Sequence, residues 1–288
     1  MKNYYFLSLL IIFSCTNEKE INQKIDSTEI LNKIELPKII NETSGLEFYN
    51  NNFITHNDSG GEPSLYVFNE TGEIIETIGL NKHSNLQIEN NDWEDITNDN
   101  EYLFVADTGN NFGNRDNLNI IRVSKKDSLI VDGVIEISYL NQESFFPRPK
   151  HKYDAEALVI IDDKIVLFSK DREGLNSDLY LIDKTLSGSQ ALTSSSSYNV
   201  NTLITGGDYN EENNLLALVG YNSREEQHLI LFNNFVLTDL KNNTFVKYKI
   251  PLERAQIEAI KIIDEKTFWV TSEDEGIGSP FMYKIKVK

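Results

Sequence analysis

Asp92-Trp93-Glu94-Asp95-Ile96, then Tyr102-Leu103-Phe104-Val105-Ala106-Asp107-Thr108-Gly109, then Leu118-Asn119-Ile120-Ile121 read as one phrase: a short strand entered through acids, a second strand running into an acid and a glycine-bearing loop, and an aliphatic third strand. The pieces are short and rich in aromatic and β-branched residues, and they predict pleated strands. The phrase opens again at Ser44-Gly45-Leu46-Glu47, Ala155-Glu156-Ala157-Leu158, Gly206-Gly207-Asp208-Tyr209 and Ile257-Glu258-Ala259-Ile260. Openings stand roughly 50 residues apart, with one longer interval of about 62, and such a period marks a solenoid or a propeller.

Second strands recur at Phe53-Ile54-Thr55, Ile165-Val166-Leu167-Phe168, Leu215-Leu216-Ala217-Leu218 and Thr267-Phe268-Trp269-Val270, each followed by an aliphatic or aromatic third strand. Weaker fourth strands stand at Glu73 to Ile78, Val131 to Tyr139 and Phe245 to Ile250. Four strands per copy predict an all-β fold, a β-propeller of four-stranded blades. The last copy stops after its third strand, while Ile30 to Leu36 precedes the first copy with no blade of its own. That N-terminal strand is expected to complete the last blade and close the ring, giving five blades. Six is the alternative if a degenerate blade hides in the long interval. Residues 29–288 are thus expected to be one domain, and Ser194 to Ser197 is read as a loop inside a repeat.

The formal charge of −18 argues against nucleic acid and against adsorption to anionic lipid, since phosphate contacts need clustered Lys and Arg. Cations and cationic partners are the favoured company. At the N-terminus, Met1-Lys2-Asn3 is a basic start and Phe6 to Phe13 an apolar run too short to span a bilayer. It ends at Ile12-Phe13-Ser14-Cys15, which resembles a bacterial lipoprotein signal with Cys15 as the lipidated residue. Cys15 is the single cysteine, so no intramolecular disulfide forms. Residues 1–15 are read as the signal and 16–28 as a polar tether, with Thr16 pointing to the outer membrane. The expected address is the bacterial cell envelope, and the expected membrane contact is the lipid anchor alone.

In a propeller the innermost strand crosses the disc and the second strand returns, so the start of one and the end of the next share a rim. Glu94, Glu156 and Glu258 are therefore expected at one channel mouth with His56, Asp58, Asp107, Asp171 and Glu273. Carboxylates so crowded raise one another's pKa or recruit a cation, and hard oxygen ligands favour calcium or magnesium. Glu94, Glu156, Glu258, Asp107 and Asp58 are the candidate Ca2+ ligands. Glu94, Glu156, Glu258, Arg115 and His56 are the candidate catalytic groups, with Arg115 placed to pair a Glu or hold an anion. The competing role for Asp58, Asp107 and Asp171 is structural, each capping backbone N–H groups in an Asx-type turn. The chain has no G-x-S-x-G, H-E-x-x-H, P-loop or G-x-G-x-x-G pattern.

As a set, His56-Asn57-Asp58-Ser59-Gly60, Asp92-Trp93-Glu94-Asp95-Ile96, Asp107-Thr108-Gly109-Asn110-Asn111 with Arg115, Tyr153-Asp154-Ala155-Glu156-Ala157-Leu158 and Ile257-Glu258-Ala259-Ile260 resemble a family of bacterial secreted and lipoprotein propellers. More distantly the chain is similar to gluconolactonase and TolB-like propellers and to phytase-like propellers. That likeness implies a metal-bearing mouth, not a particular reaction. Three readings are open: a monomeric binding module holding a cation and a small-molecule, glycan or protein ligand, a metal-dependent hydrolase of the lactonase, phosphoesterase or glycosidase kind, or a scaffold alone, its acids serving turns.

Overall fold

The computed structural model describes residues 25–82, 84–126, 128–185, 188–252, 255–273 and 278–288. The expected lipobox with Cys15, most of the expected tether, His83 and the acids at 274 and 275 lie outside them. The strands assemble into five sheets arranged as a five-bladed propeller. Blade 1 comprises Thr43–Tyr49, Asn52–Asn57, Ser64–Phe68 and Ile74–Gly79. Blade 2 begins with Asp95–Asn98, Tyr102–Asp107, Asn119–Ser124 and Ile130–Tyr139. Blade 3 is Ala155–Ile161, Lys164–Ser169, Ser177–Asp183 and Ser196–Tyr198. Blade 4 is Leu203–Asn210, Leu215–Tyr221, Gln227–Phe232 and Val246–Lys249, and blade 5 starts with Ile257–Ile262, Thr267–Ser272 and Phe281–Lys286.

The missing strand of blade 5 is Glu29–Glu35, antiparallel to Phe281–Lys286, as the unassigned N-terminal run predicts. Ahead of it, Thr28 N donates to Lys249 O at 2.9 Å and Lys249 N donates to Asp26 O at 2.8 Å, so the same segment also clasps blade 4. The long interval holds no sixth blade. It is spent on the ten-residue outer strand of blade 2 and on an irregular connection to Asp154.

Blade 3 departs from expectation. Its outer strand Ser196–Tyr198 falls in the serine run read as a loop, and Gly188–Leu192 leaves the blade to pair in parallel with Ile130–Tyr139 of blade 2. Both are edge strands with few buried side chains, so they carry little of the apolar signal that marks a strand in sequence.

Five apolar layers hold the ring, one between each pair of neighbouring blades. Phe53, Phe68, Phe104, Phe168, Phe232 and Phe268 are fully buried in them, each worth about 1.5–3 kcal/mol of burial. Near the axis the inner strands almost touch. Gly45, at φ +70°, faces the blade 2 backbone so closely that a Cβ would lie 2.6 Å from Ile96 N. Asp95 stands in this narrow part, its carboxylate accepting from Leu158 N at 2.8 Å and Gly207 N at 3.2 Å, which ties blades 2, 3 and 4. Lower down, Lys261 bridges Glu47 (2.5 Å) and Asp208 (2.9 Å), tying blades 5, 1 and 4.

Candidate functional site

Two acids at the channel mouth, Glu156 and Glu258, owe their aim to β-bulges. In blade 3 the register passes from Ala155 opposite Ser169 to Ala157 opposite Phe168, and in blade 5 from Ile257 opposite Ser272 to Ala259 opposite Thr271. Glu156 and Glu258 are the extra residues, and Thr205 occupies the corresponding place in blade 4. A bulge leaves its residue outside the ladder and re-aims its side chain. Hydroxyls anchor this stretch to the next blade: Ser44 Oγ donates to Glu94 O at 2.5 Å, Thr108 Oγ1 to Ala155 O at 2.7 Å and Thr205 Oγ1 to Ile257 O at 2.6 Å.

Two groups of three carboxylates result, Asp58–Asp92–Glu94 and Glu94–Asp154–Glu156, with ligand atoms in each group all within 4.8 Å of one another. Glu94 belongs to both. It is 4% exposed, and its carboxylate accepts no hydrogen bond from any described residue. Burial, then Glu156, Asp58, Asp92 and Asp154, pushes its carboxyl well above the ordinary range. Burial, and then Asp92, likewise pushes Asp58 up to about 9, and Asp58 Oδ1 is buried with no hydrogen-bond partner. Gly109 makes the space: a Cβ there would collide with the carboxylates of Glu94 and Asp92.

The two groups differ in their cations. Lys170 Nζ lies 2.5 Å from Glu156 Oε2, while Arg172 Nε donates to Asp154 Oδ2 at 2.7 Å and Nη2 reaches Glu156 Oε1 at 3.5 Å. Burial opposes the charge on Lys170, but Glu156 and then Glu258 outweigh it and hold the ammonium well above its ordinary value. Tyr221 of blade 4 covers it, with Nζ 5.3 Å from the ring centre. The Glu94–Asp154–Glu156 group thus has two cations set against its three carboxylates. No Lys or Arg forms an ion pair with Asp58, Asp92 or Glu94 among the described residues.

The other expected residues divide. Glu258 faces the mouth, where its charge acts on Asp58, Glu156 and Lys170, and it accepts from Gln256. Asp107 is drawn away: its carboxylate accepts from Arg115 Nη2 (2.7 Å), Asn91 Nδ2 (2.9 Å), Asn119 Nδ2 (3.2 Å) and Asp92 N (3.2 Å). Arg115 also donates to Gly109 O at 2.6 Å, so the pair braces the loop that carries Gly109. Asp171 caps Glu173 N and Gly174 N, both at 2.9 Å, which is the turn role. His56 is fully buried edge-on against Trp93, and burial lowers its pKa to about 4. Asp92, Asp154, Lys170, Arg172 and Tyr221 were not among the expected site residues. The signal for the first two was present, since an acid stands two positions before both Glu94 and Glu156.

No family model and no curated protein matches the chain. Among solved structures it is similar to an exo-β-1,3-galactanase from Clostridium thermocellum (TM-score 0.57, 10% identity), covering 91% of this chain and 63% of that one. It is also similar to a GH43 β-1,3-galactosidase with galactodeoxynojirimycin (TM-score 0.52, 12% identity), covering 92% of this chain and 95% of that one. At such identities the likeness concerns the propeller fold alone.

Proposed function

We propose that the mouth binds a divalent cation, calcium by its all-carboxylate donor set, in the Asp58–Asp92–Glu94 pocket, and beside it a glycan ligand. The observation that carries this reading is Glu94: a buried carboxylate shared by both groups, with no hydrogen-bond donor among the described residues, in the group that Lys170 and Arg172 leave uncompensated. An ion there would supply the missing positive charge. The glycan part rests on the fold shared with galactan- and galactoside-directed enzymes. We take Cys15 as the lipid attachment point, which would hold the domain at the outer membrane.

Hydrolysis at the same mouth is the second reading. One observation favours it: burial and then Glu156 push the Glu94 carboxyl well above the ordinary range, as a general acid requires, although burial raises Glu156 as well in spite of Lys170. One oxygen of each carboxylate lies within 4.8 Å of the other, an approach tighter than the roughly 6.5–9.5 Å between carboxyl groups that leaves room for water in inverting glycosidases.

The test is thermal melting with calcium or with EDTA. A site loaded at about 100 times its Kd adds about 2.7 kcal/mol of stability, and Glu94→Gln should remove that gain. Turnover of β-1,3-linked galactan, lactone and phosphoester substrates then separates the hydrolase from the binder.

A further inference from the structure

The connection from blade 2 to blade 3 carries Gln142 to Lys152, reading QESFFPRPKHK, and the mouth touches it where Arg172 N donates to His151 O at 3.0 Å. It is pinned along its length. Gln142 Nε2 donates to Gly113 O at 2.8 Å, Arg148 N donates to Phe112 O at 2.9 Å, and the Tyr153 hydroxyl donates to Asn141 O at 2.7 Å. Between these ties Glu143 to Lys150 are all exposed. Phe146 is 77% exposed, and Phe145, Leu140 and the neighbouring Phe112 also face solvent. Aromatic rings held out in water by a bonded loop mark a contact surface.

The charge around those rings runs against the rest of the molecule. Arg148, Lys150 and Lys152, all exposed, stand against the single acid Glu143 in a chain whose net charge is −18. An aromatic tip with a basic collar matches the headgroup layer of a bilayer, where rings settle at the acyl boundary and cations meet phosphates. A neutral sugar would stack on a ring but offer no charge to Lys150, Lys152 or Arg148, the last of which stands 5.9 Å over the Tyr153 ring.

We propose that the Gln142–Lys152 loop docks on an anionic lipid surface, with Phe145 and Phe146 entering the headgroup layer and Arg148, Lys150 and Lys152 meeting lipid phosphates. The overall charge opposes adsorption, yet at physiological ionic strength screening acts within about 8 Å, so the membrane responds to the loop in contact with it. This makes the loop a membrane contact beyond the expected lipid anchor, and it stands independently of the cation site.

The test uses the full chain with Cys15→Ser, so that no acyl chain is attached, sedimented with vesicles of phosphatidylcholine alone or mixed with phosphatidylglycerol. Binding should favour the anionic vesicles and weaken with salt. Phe145→Ser with Phe146→Ser, and separately Arg148→Ser with Lys150→Ser and Lys152→Ser, should each lower it about tenfold or more. Unchanged melting confirms that these exposed substitutions leave the fold intact. Phe146→Trp should show emission shifted to the blue on anionic vesicles. The proposal is overturned if the parent does not bind, if the loop variants bind as the parent does, or if they abolish self-association rather than vesicle binding.

Discussion

Lys170 and Glu156 form a buried ion pair, 2.5 Å between Nζ and Oε2, with side chains 4% and 2% exposed. Neither charge has water to fall back on: Lys170 depends on Glu156, and among the described residues Glu156 has besides it only the longer contact with Arg172, at 3.5 Å. Removing one partner of such a pair costs about 3–5 kcal/mol, because the survivor is left charged and buried. Lys170→Met should therefore destabilise the fold by that order in chemical denaturation. Adding Glu156→Gln should recover a large part of the loss, which a purely steric defect at position 170 would not allow.

Asp95 makes a second prediction, about the ring rather than the mouth. Its carboxylate serves N–H groups of Leu158 and Gly207 on two other blades. Asp95→Ala strips both donors at once in a dry site, at about 1–3 kcal/mol each. Denaturant unfolding of the variant should show a loss on the order of 2–6 kcal/mol, and a loss below about 1 would mean that the tie does not bear on stability.

The pH dependence follows from Asp58 and from two of the buried histidines, His56 and His228. Asp58, raised to about 9 by burial and then Asp92, keeps in the folded state a proton that the unfolded chain releases near pH 4. Its contribution is fully present below pH 4 and is lost as the pH rises through about 9. His56 and His228, both lowered to about 4 chiefly by burial, act in the opposite sense, costing stability as the pH falls from about 6.5 to 4. With EDTA present, melting near pH 6.5 should exceed melting near pH 8.5, by up to about 1.4 kcal/mol per pH unit for Asp58. A flat or reversed profile over that range would contradict a protonated Asp58.

Much of the ring could be read from residues alone, for a physical reason. Inner strands such as Ala155–Ile161 and Leu215–Tyr221 are covered on both faces, and that forces aliphatic runs which repeat visibly with the blade. Ser196–Tyr198 and Gly188–Leu192 lie at edges, where packing demands little, and their sequence is silent. At the site, Glu94, Glu156 and Glu258 were legible because they recur at equivalent blade positions. Asp107 recurs just as well, and sequence left it open between ligand and structural role; its contacts with Arg115, Asn91 and Asn119 are those of a brace. Lys170 stayed hidden because an aliphatic second strand ending in lysine looks like any strand leaving the core. Its burial depends on Tyr221, about 50 residues further along, arriving from the next blade.

Gly109 offers a prediction that separates the pocket from the charges around it. Any side chain there collides with Glu94 and Asp92, while Arg115 and Asp107 stay as they are. Gly109→Ala should cost about 1–3 kcal/mol from overpacking and should also blunt the stabilisation by calcium. A variant that melts like the parent and still responds to calcium would show that the carboxylates can move aside.

The most direct measurement is the calcium dependence of melting for the parent beside Glu94→Gln and Lys170→Met. The parent's Tm should climb steadily with free calcium, Glu94→Gln should lose the climb, and Lys170→Met, though destabilised, should keep it, because the ion sits in the Asp58–Asp92–Glu94 group and not with Glu156. Identical parent curves in calcium and EDTA would contradict the account.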